Sequence, residues 1–314
     1  MKKTYVMGIC IIFCSFLLNS NLYAAEKLTV LLDWFPNADH APLFVAEQQG
    51  FFKEAGLDVE LIGPADPADP PKLVAAGKAD IAITYEPQLL EQIDEGLPLV
   101  RIATLIDKPL SCLVVLNNSS IHSLSDLKNK RIGYSTSNVT DVVLKTMLEK
   151  NGVHLQDVQT VNVHYDLTQA LLSKKIEAVT GMMRTFEVLQ LELAGQPARV
   201  FLPEKNGVPS YDELVLVINK KNITDKRFPK FVTALQKGVD YLEKHPDSSW
   251  KLFVKSHPEL NDTLNQRAWF ATLPYFSHQP AKFNAQEWET FAKFMKKNGL
   301  IKNAHSVADY AIII

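Results

Sequence analysis

A chain of 314 residues that is 46% apolar and 22% charged has the composition of a folded protein of about two domains, not of a disordered, collagen-like or disulfide-scaffold chain. Its 33 basic and 35 acidic residues nearly balance, and no long run of either sign offers the electrostatic footprint that nucleic-acid binding requires. No nucleic-acid partner is expected.

The first segment reads as an export signal. Lys2 and Lys3 precede a mostly apolar stretch, 5–18, that is too short to span a bilayer comfortably, and Ala24 and Ala25 offer a small-residue cleavage point. Removal of residues 1–24 predicts a periplasmic protein. Cys10 and Cys14 leave with the signal, so Cys112 stands alone, which excludes an intrachain disulfide and a cysteine-rich metal site. Ile9 and Phe13 precede those two cysteines where a lipid-anchored protein needs small residues.

Beyond the signal, β-rich runs alternate with helical segments, the pattern of an α/β protein. Strands are expected at 28–32, 59–62, 81–84, 99–105 and 113–116, with helices over 41–49, toward 77 and over 86–94. A second, similar unit has strands at 131–134, 158–163 and 178–180, and helices around 139–147, 167–173 and 185–193. A last strand at 214–218 precedes a helical tail from about 231 that has no sheet of its own to cover. The tail is expected to pack on the first unit. This gives two lobes, 26–113 with 216–314 and 114–215, with a ligand cleft between them.

Catalytic signatures are missing from the sequence. The glycines form no phosphate-binding loop, residues 133–137 lack the last glycine of a nucleophile elbow, and the eight histidines never fall at metal-site spacing. Polar and aromatic residues instead gather where expected strands end. Asp33, Trp34, Asn37 and His40 follow the first strand: the indole offers a stacking face, Asp33 an acceptor for ring amino groups, and Asn37 or His40 a reader of a heteroatom. The plain alternative is that Trp34 and Phe35 are core and that Asp39 is a helix cap. Tyr85 and Glu86 follow the third strand, where the ring supplies an opposite face or lobe packing. Tyr134, Ser135 and Thr136 precede a helix with Asn138 as expected N-cap, and Asp141 in its first turn disfavours a doubly charged phosphate there. Arg184, Glu187 and Tyr211 complete the candidates, with an Arg184–Glu187 ion pair as the plain alternative.

The segments 33–61, 64–90, 96–110 and 207–217, including DWFPNADHAPLF and PADPADPPKLV, closely resemble bacterial periplasmic binding proteins for thiamine pyrimidine precursors. The resemblance implies a type II two-lobe binding fold, no cofactor, a small aminopyrimidine ligand of the formylaminopyrimidine or hydroxymethylpyrimidine type, an inner-membrane ABC permease as partner, and a monomer. It assigns the Asp33–Trp34 pair, Tyr85 and Glu187 to the ligand, although Met182, Met183 and Arg184 replace the aromatic and histidine residues usual near that glutamate. The superfamily also includes the yeast-type pyrimidine synthase, which consumes pyridoxal phosphate and its own histidine with iron. Where that enzyme has lysine and histidine, this chain has Thr84 and Gln88, and only Cys112 answers its cysteine cluster. Another heterocycle or a sulfonate is the remaining alternative ligand.

Overall fold

The apolar runs pair into two separate five-stranded sheets in the computed structural model, which describes residues 25–314, with 137–142 described for backbone only. The expected signal, Cys10 and Cys14 lie outside the described residues. The first part of the chain is β1 (Glu26–Leu31), α1 (Ala41–Gln48), α2 (Phe51–Glu54), β2 (Leu57–Ile62), α3 (Pro70–Ala75), β3 (Ile81–Thr84), α4 (Glu86–Asp94) and β4 (Leu99–Ile106). There follow β5 (Ser111–Leu116), β6 (Arg131–Tyr134), α5 (Ser137–Lys150), β7 (Gln159–Asn162), α6 (Leu167–Leu172), β8 (Ala178–Met183), α7 (Glu187–Leu193) and β9 (Ala198–Phe201). The chain ends with β10 (Leu214–Asn219), α8 (Arg227–Lys244), α9 (Pro246–Ser256), α10 (Thr263–Thr272) and α11 (Ala285–Lys297).

The first sheet has the order β2-β1-β3-β10-β4 and the second β7-β6-β8-β5-β9. In each, one strand contributed by the other part of the chain runs antiparallel to an otherwise parallel core: β10 against β3 and β4, β5 against β8 and β9. Pairing puts all of β5 in the second sheet and all of β10 in the first, so the expected lobe limits at 113 and 216 fall inside strands. The chain crosses between sheets at 107–110 and 202–213. Strand β9 and the one-turn α2 were not expected, because four-residue ARVF and FFKE are too short to show a period.

Packing of the tail explains one glycine. α8 lies on α1 and α2, and a Cβ at Gly238 would stand 2.4 Å from the Pro42 carbonyl oxygen, so only glycine admits this approach. The C-terminus covers the free edge of β4: the Arg101 N–H donates to the Tyr310 carbonyl and the Ile312 N–H to that of Arg101. The α10 helix reaches the second sheet's helices as well, touching α7, where Arg267 pairs with Glu192 at 2.7 Å.

A cavity between the two sheets

The loop after β1 is fixed before it reaches the cleft. Asn37 caps a short turn over Ala38–His40 by accepting the Asp39 N–H (2.7 Å), and Asp33 takes His40 Nε2 on one oxygen (2.9 Å) and the Tyr85 hydroxyl on the other (2.7 Å). Trp34 is thereby held out from the first sheet and packs against the apolar cluster of the second. Its ring meets Tyr165 edge-on at 4.5 Å, and the Tyr165 hydroxyl donates to the Pro64 carbonyl at 2.8 Å, so aromatic contacts bridge the mouth. On the far side a β-bulge turns the end of β8: Cys112 faces Met182 and Leu113 faces Thr180, leaving Gly181 unpaired at φ 86°.

These elements enclose a cavity whose wall includes Asp33, Trp34, Asn37, Tyr85, Ser135, Thr136 and Glu187. The other five candidates sit off it. His40 is fully buried against Asp33; Glu86 is fully buried and accepts the Asp212 N–H (2.7 Å); Tyr211 packs on Phe291. Arg184 pairs with Glu204 (2.8 Å) rather than Glu187 and also donates to the Leu110 carbonyl, and Tyr134 stays at the end of β6. For His40, Glu86 and Arg184 a nearer protein partner captures the polar group. Helix α5 begins at Ser137 with Thr136 in the N-cap place, so Asn138 lies in its first turn.

The wall also holds Asp39, Ser111, Thr180, Gly181, Phe186 and Glu213, which the sequence reading did not select. Among the described residues, four carboxyl-bearing residues thus line one cavity, and none of those lining it is lysine, arginine or histidine. Burial, with the Asp33 charge adding to it and His40 opposing, pushes Asp39 up to about 6. Glu187 is pushed to about 7 by burial against the pull of the Met183 N–H, which it accepts at 2.7 Å. Glu213 is raised to about 7 by burial despite accepting the N–H groups of Ser111 (2.8 Å) and Leu110 (2.6 Å). A wall of acceptors with no cation disfavours an anionic guest and suits one rich in N–H or O–H donors, with Trp34 and Phe186 as apolar faces.

Residues 37–249 match the model of the NMT1/THI5-like family. A Haemophilus influenzae protein named for thiamine biosynthesis is 46% identical over 312 residues, 99% of this chain and 97% of its own. The formylaminopyrimidine-binding protein of Halalkalibacterium halodurans is 33% identical over 245 residues, 77% of this chain and 74% of that one. A 4-amino-5-hydroxymethyl-2-methylpyrimidine phosphate synthase of Legionella pneumophila is 26% identical over 275 residues, 86% of either chain. The alkanesulfonate-binding protein SsuA of Xanthomonas axonopodis pv. citri, solved with MOPS, superposes with a TM-score of 0.72 at 15% identity over 92% of this chain and 99% of that one. That likeness shows the fold, which is that of the periplasmic binding proteins.

Proposed function

The chain belongs to the NMT1/THI5-like family, and from that premise we propose that it is the solute-binding component of an ABC importer, capturing a small aminopyrimidine in the periplasm. The observation that carries this reading is the cavity itself: aromatic faces and four carboxyl groups, drawn from both sheets, with no base among them. An aminopyrimidine is flat and bears amino donors. A sulfonate would bring its negative charge to a wall of buried acids, of which Asp39, Glu187 and Glu213 are already raised toward neutrality by burial.

In this reading the sheets form two lobes hinged at 107–110 and 202–213, and closure excludes water so that stacking and hydrogen bonds act together. Micromolar affinity requires about −8.2 kcal/mol, within reach of a stacked ring with several buried hydrogen bonds. The ligand is handed unaltered to an inner-membrane permease, and the binding protein works as a monomer without a cofactor. The synthase relative supplies the second reading, an enzyme. Against it, the positions where the enzyme's resemblance implies lysine and histidine hold Thr84 and Gln88, buried and bonded to each other at 2.8 Å.

A thermal-shift panel on the chain without residues 1–24 tests the proposal. Formylaminopyrimidine or 4-amino-5-hydroxymethyl-2-methylpyrimidine at a hundredfold excess over Kd should raise the melting temperature by roughly 5 °C, with thiamine and an alkanesulfonate giving no shift. A shift with the sulfonate alone contradicts the ligand class. Release of a pyrimidine product on incubation with pyridoxal phosphate and iron contradicts the non-enzymatic reading.

A further inference from the structure

Glu213 stands immediately before β10, on the return crossing between the sheets. Its Oε2 accepts the main-chain N–H groups of Leu110 (2.6 Å), the last residue of the outward crossing, and Ser111 (2.8 Å), the first of β5. One carboxylate oxygen therefore ties the two connecting segments together. The other, Oε1, is fully buried, has no hydrogen-bond partner among the described residues, and belongs to a residue on the cavity wall.

A glutamine would serve the tie equally well, since its carbonyl oxygen can accept both N–H groups without the difficulty of an ionisable group in the interior. What glutamine lacks is a second acceptor: its other terminus is an amino group, a donor only. The two N–H contacts also stabilise the carboxylate form, which leaves Oε1 as an acceptor facing the guest. Asp33 is less free to play this part, because its oxygens already take His40 Nε2 and the Tyr85 hydroxyl.

We propose that Glu213 is a specificity-determining residue of this site: Oε1 accepts an N–H from an exocyclic amino group of the ligand, while Oε2 carries that contact to both segments joining the sheets. The proposal rests on the aminopyrimidine reading and deepens it by naming the group that distinguishes an amino heterocycle from its analogue without the amino function. Loss of an acceptor to such a buried donor leaves a polar group unpaired, which is how sites of this kind discriminate strongly.

The test is a thermodynamic cycle between residue and ligand. Kd is measured by calorimetry for the unsubstituted protein and Glu213→Gln with 4-amino-5-hydroxymethyl-2-methylpyrimidine and with 5-hydroxymethyl-2-methylpyrimidine, which lacks the amino group. The unsubstituted protein should prefer the amino compound by on the order of 10- to 100-fold, and Glu213→Gln should reduce that preference to about threefold or less. Equal weakening toward both ligands would make Glu213 a purely structural tie and overturn the proposal, as would an unchanged preference. If Glu213→Gln does not fold, Glu213→Asp, which keeps the charge but withdraws it by one methylene, is read by the same criterion. Should the unsubstituted protein bind neither compound, the aminopyrimidine reading itself fails; should it bind both equally, only the assignment of Glu213 does.

Discussion

Asp212 and Glu213 are neighbours in the chain, yet their carboxyl groups enter two buried clusters of opposite character. Asp212 Oδ2 accepts from Thr104 Oγ1 (2.8 Å) and Trp288 Nε1 (3.0 Å), and the same threonine oxygen accepts from Arg101 Nε and Nη2. The remaining Arg101 donors reach the carbonyls of Pro280, Ala281, Lys282 and Ile312, with the guanidinium 4.9 Å from the Phe283 ring. Burial lowers Arg101 to about 10, with Asp212 and Glu86 opposing, so it remains charged at neutral pH. Burial raises Asp212 to about 6 just as it raises Asp39, Glu187 and Glu213 on the cavity side, but among the described residues no base lines the cavity and Glu213 Oε1 has no hydrogen-bond partner. The first cluster satisfies its arginine within the protein and fastens the C-terminus to β4. The second leaves acceptors open at a cost in stability, which is the mark of a site kept for a guest.

The contrast can be broken most forcefully at Arg101. Arg101→Met leaves buried Asp212 without its compensating charge and frees four carbonyls, so urea unfolding should show a loss of about 3–5 kcal/mol. The ligand affinity of the protein that remains folded should be unchanged. A stable variant with impaired binding would instead tie this cluster to the site.

A smaller effect of opposite sign is expected at Glu213. Its folded-state pKa is raised from 4.5 to about 7, so the native state holds more protons than the unfolded chain between those values and stability falls as pH rises through that window. Glu213→Gln removes this loss. Without ligand, it should be more stable than the unsubstituted protein by about 1–3 kcal/mol at pH 8, with the gap closing by pH 4 to 5. Equal stability at both pH values would show that the carboxyl is not strained by its burial.

Trp34→Ala sharpens the account of the mouth. The indole is half-buried and reaches across to the second sheet, so affinity should fall by at least tenfold, about 1.4 kcal/mol, with little change in melting temperature. A large stability loss with intact binding would make Trp34 a packing residue. The smallest effect belongs to Arg267 and Glu192, an exposed pair linking α10 to α7. Its removal should change ligand affinity by less than about 1 kcal/mol, and by less still in high salt.

The alternation of strands and helices was legible because apolar, β-branched runs and helical spacing are local properties of the sequence, whereas the order of the strands, set by pairing between distant segments, was not. The strand-end position of the loop 33–40 and of Tyr85 was legible for the same reason. Which way each polar side chain turns there was not, because that depends on neighbours distant in sequence. His40 is claimed by Asp33, Glu86 by the Asp212 N–H and Arg184 by Glu204. Asp39 reads as a helix cap, but Asn37 does the capping and frees Asp39 for Thr272 and the cavity. Glu213 stands in a polar run, 209–213, from which the sequence alone favours the aromatic Tyr211. Only the folded crossing shows that the tyrosine is packed on Phe291 and that the glutamate lines the cavity.

A ring-walled cavity whose ionisable lining residues are acids and tyrosine, with no base among those described, should take a neutral amino heterocycle and refuse an anion. Calorimetric titration at pH 7.5 of the chain lacking residues 1–24, with formylaminopyrimidine and ethanesulfonate in parallel, tests it directly. Micromolar or tighter binding of the first and no measurable heat from the second is the predicted result. Saturable binding of the sulfonate with none of the pyrimidine would contradict it.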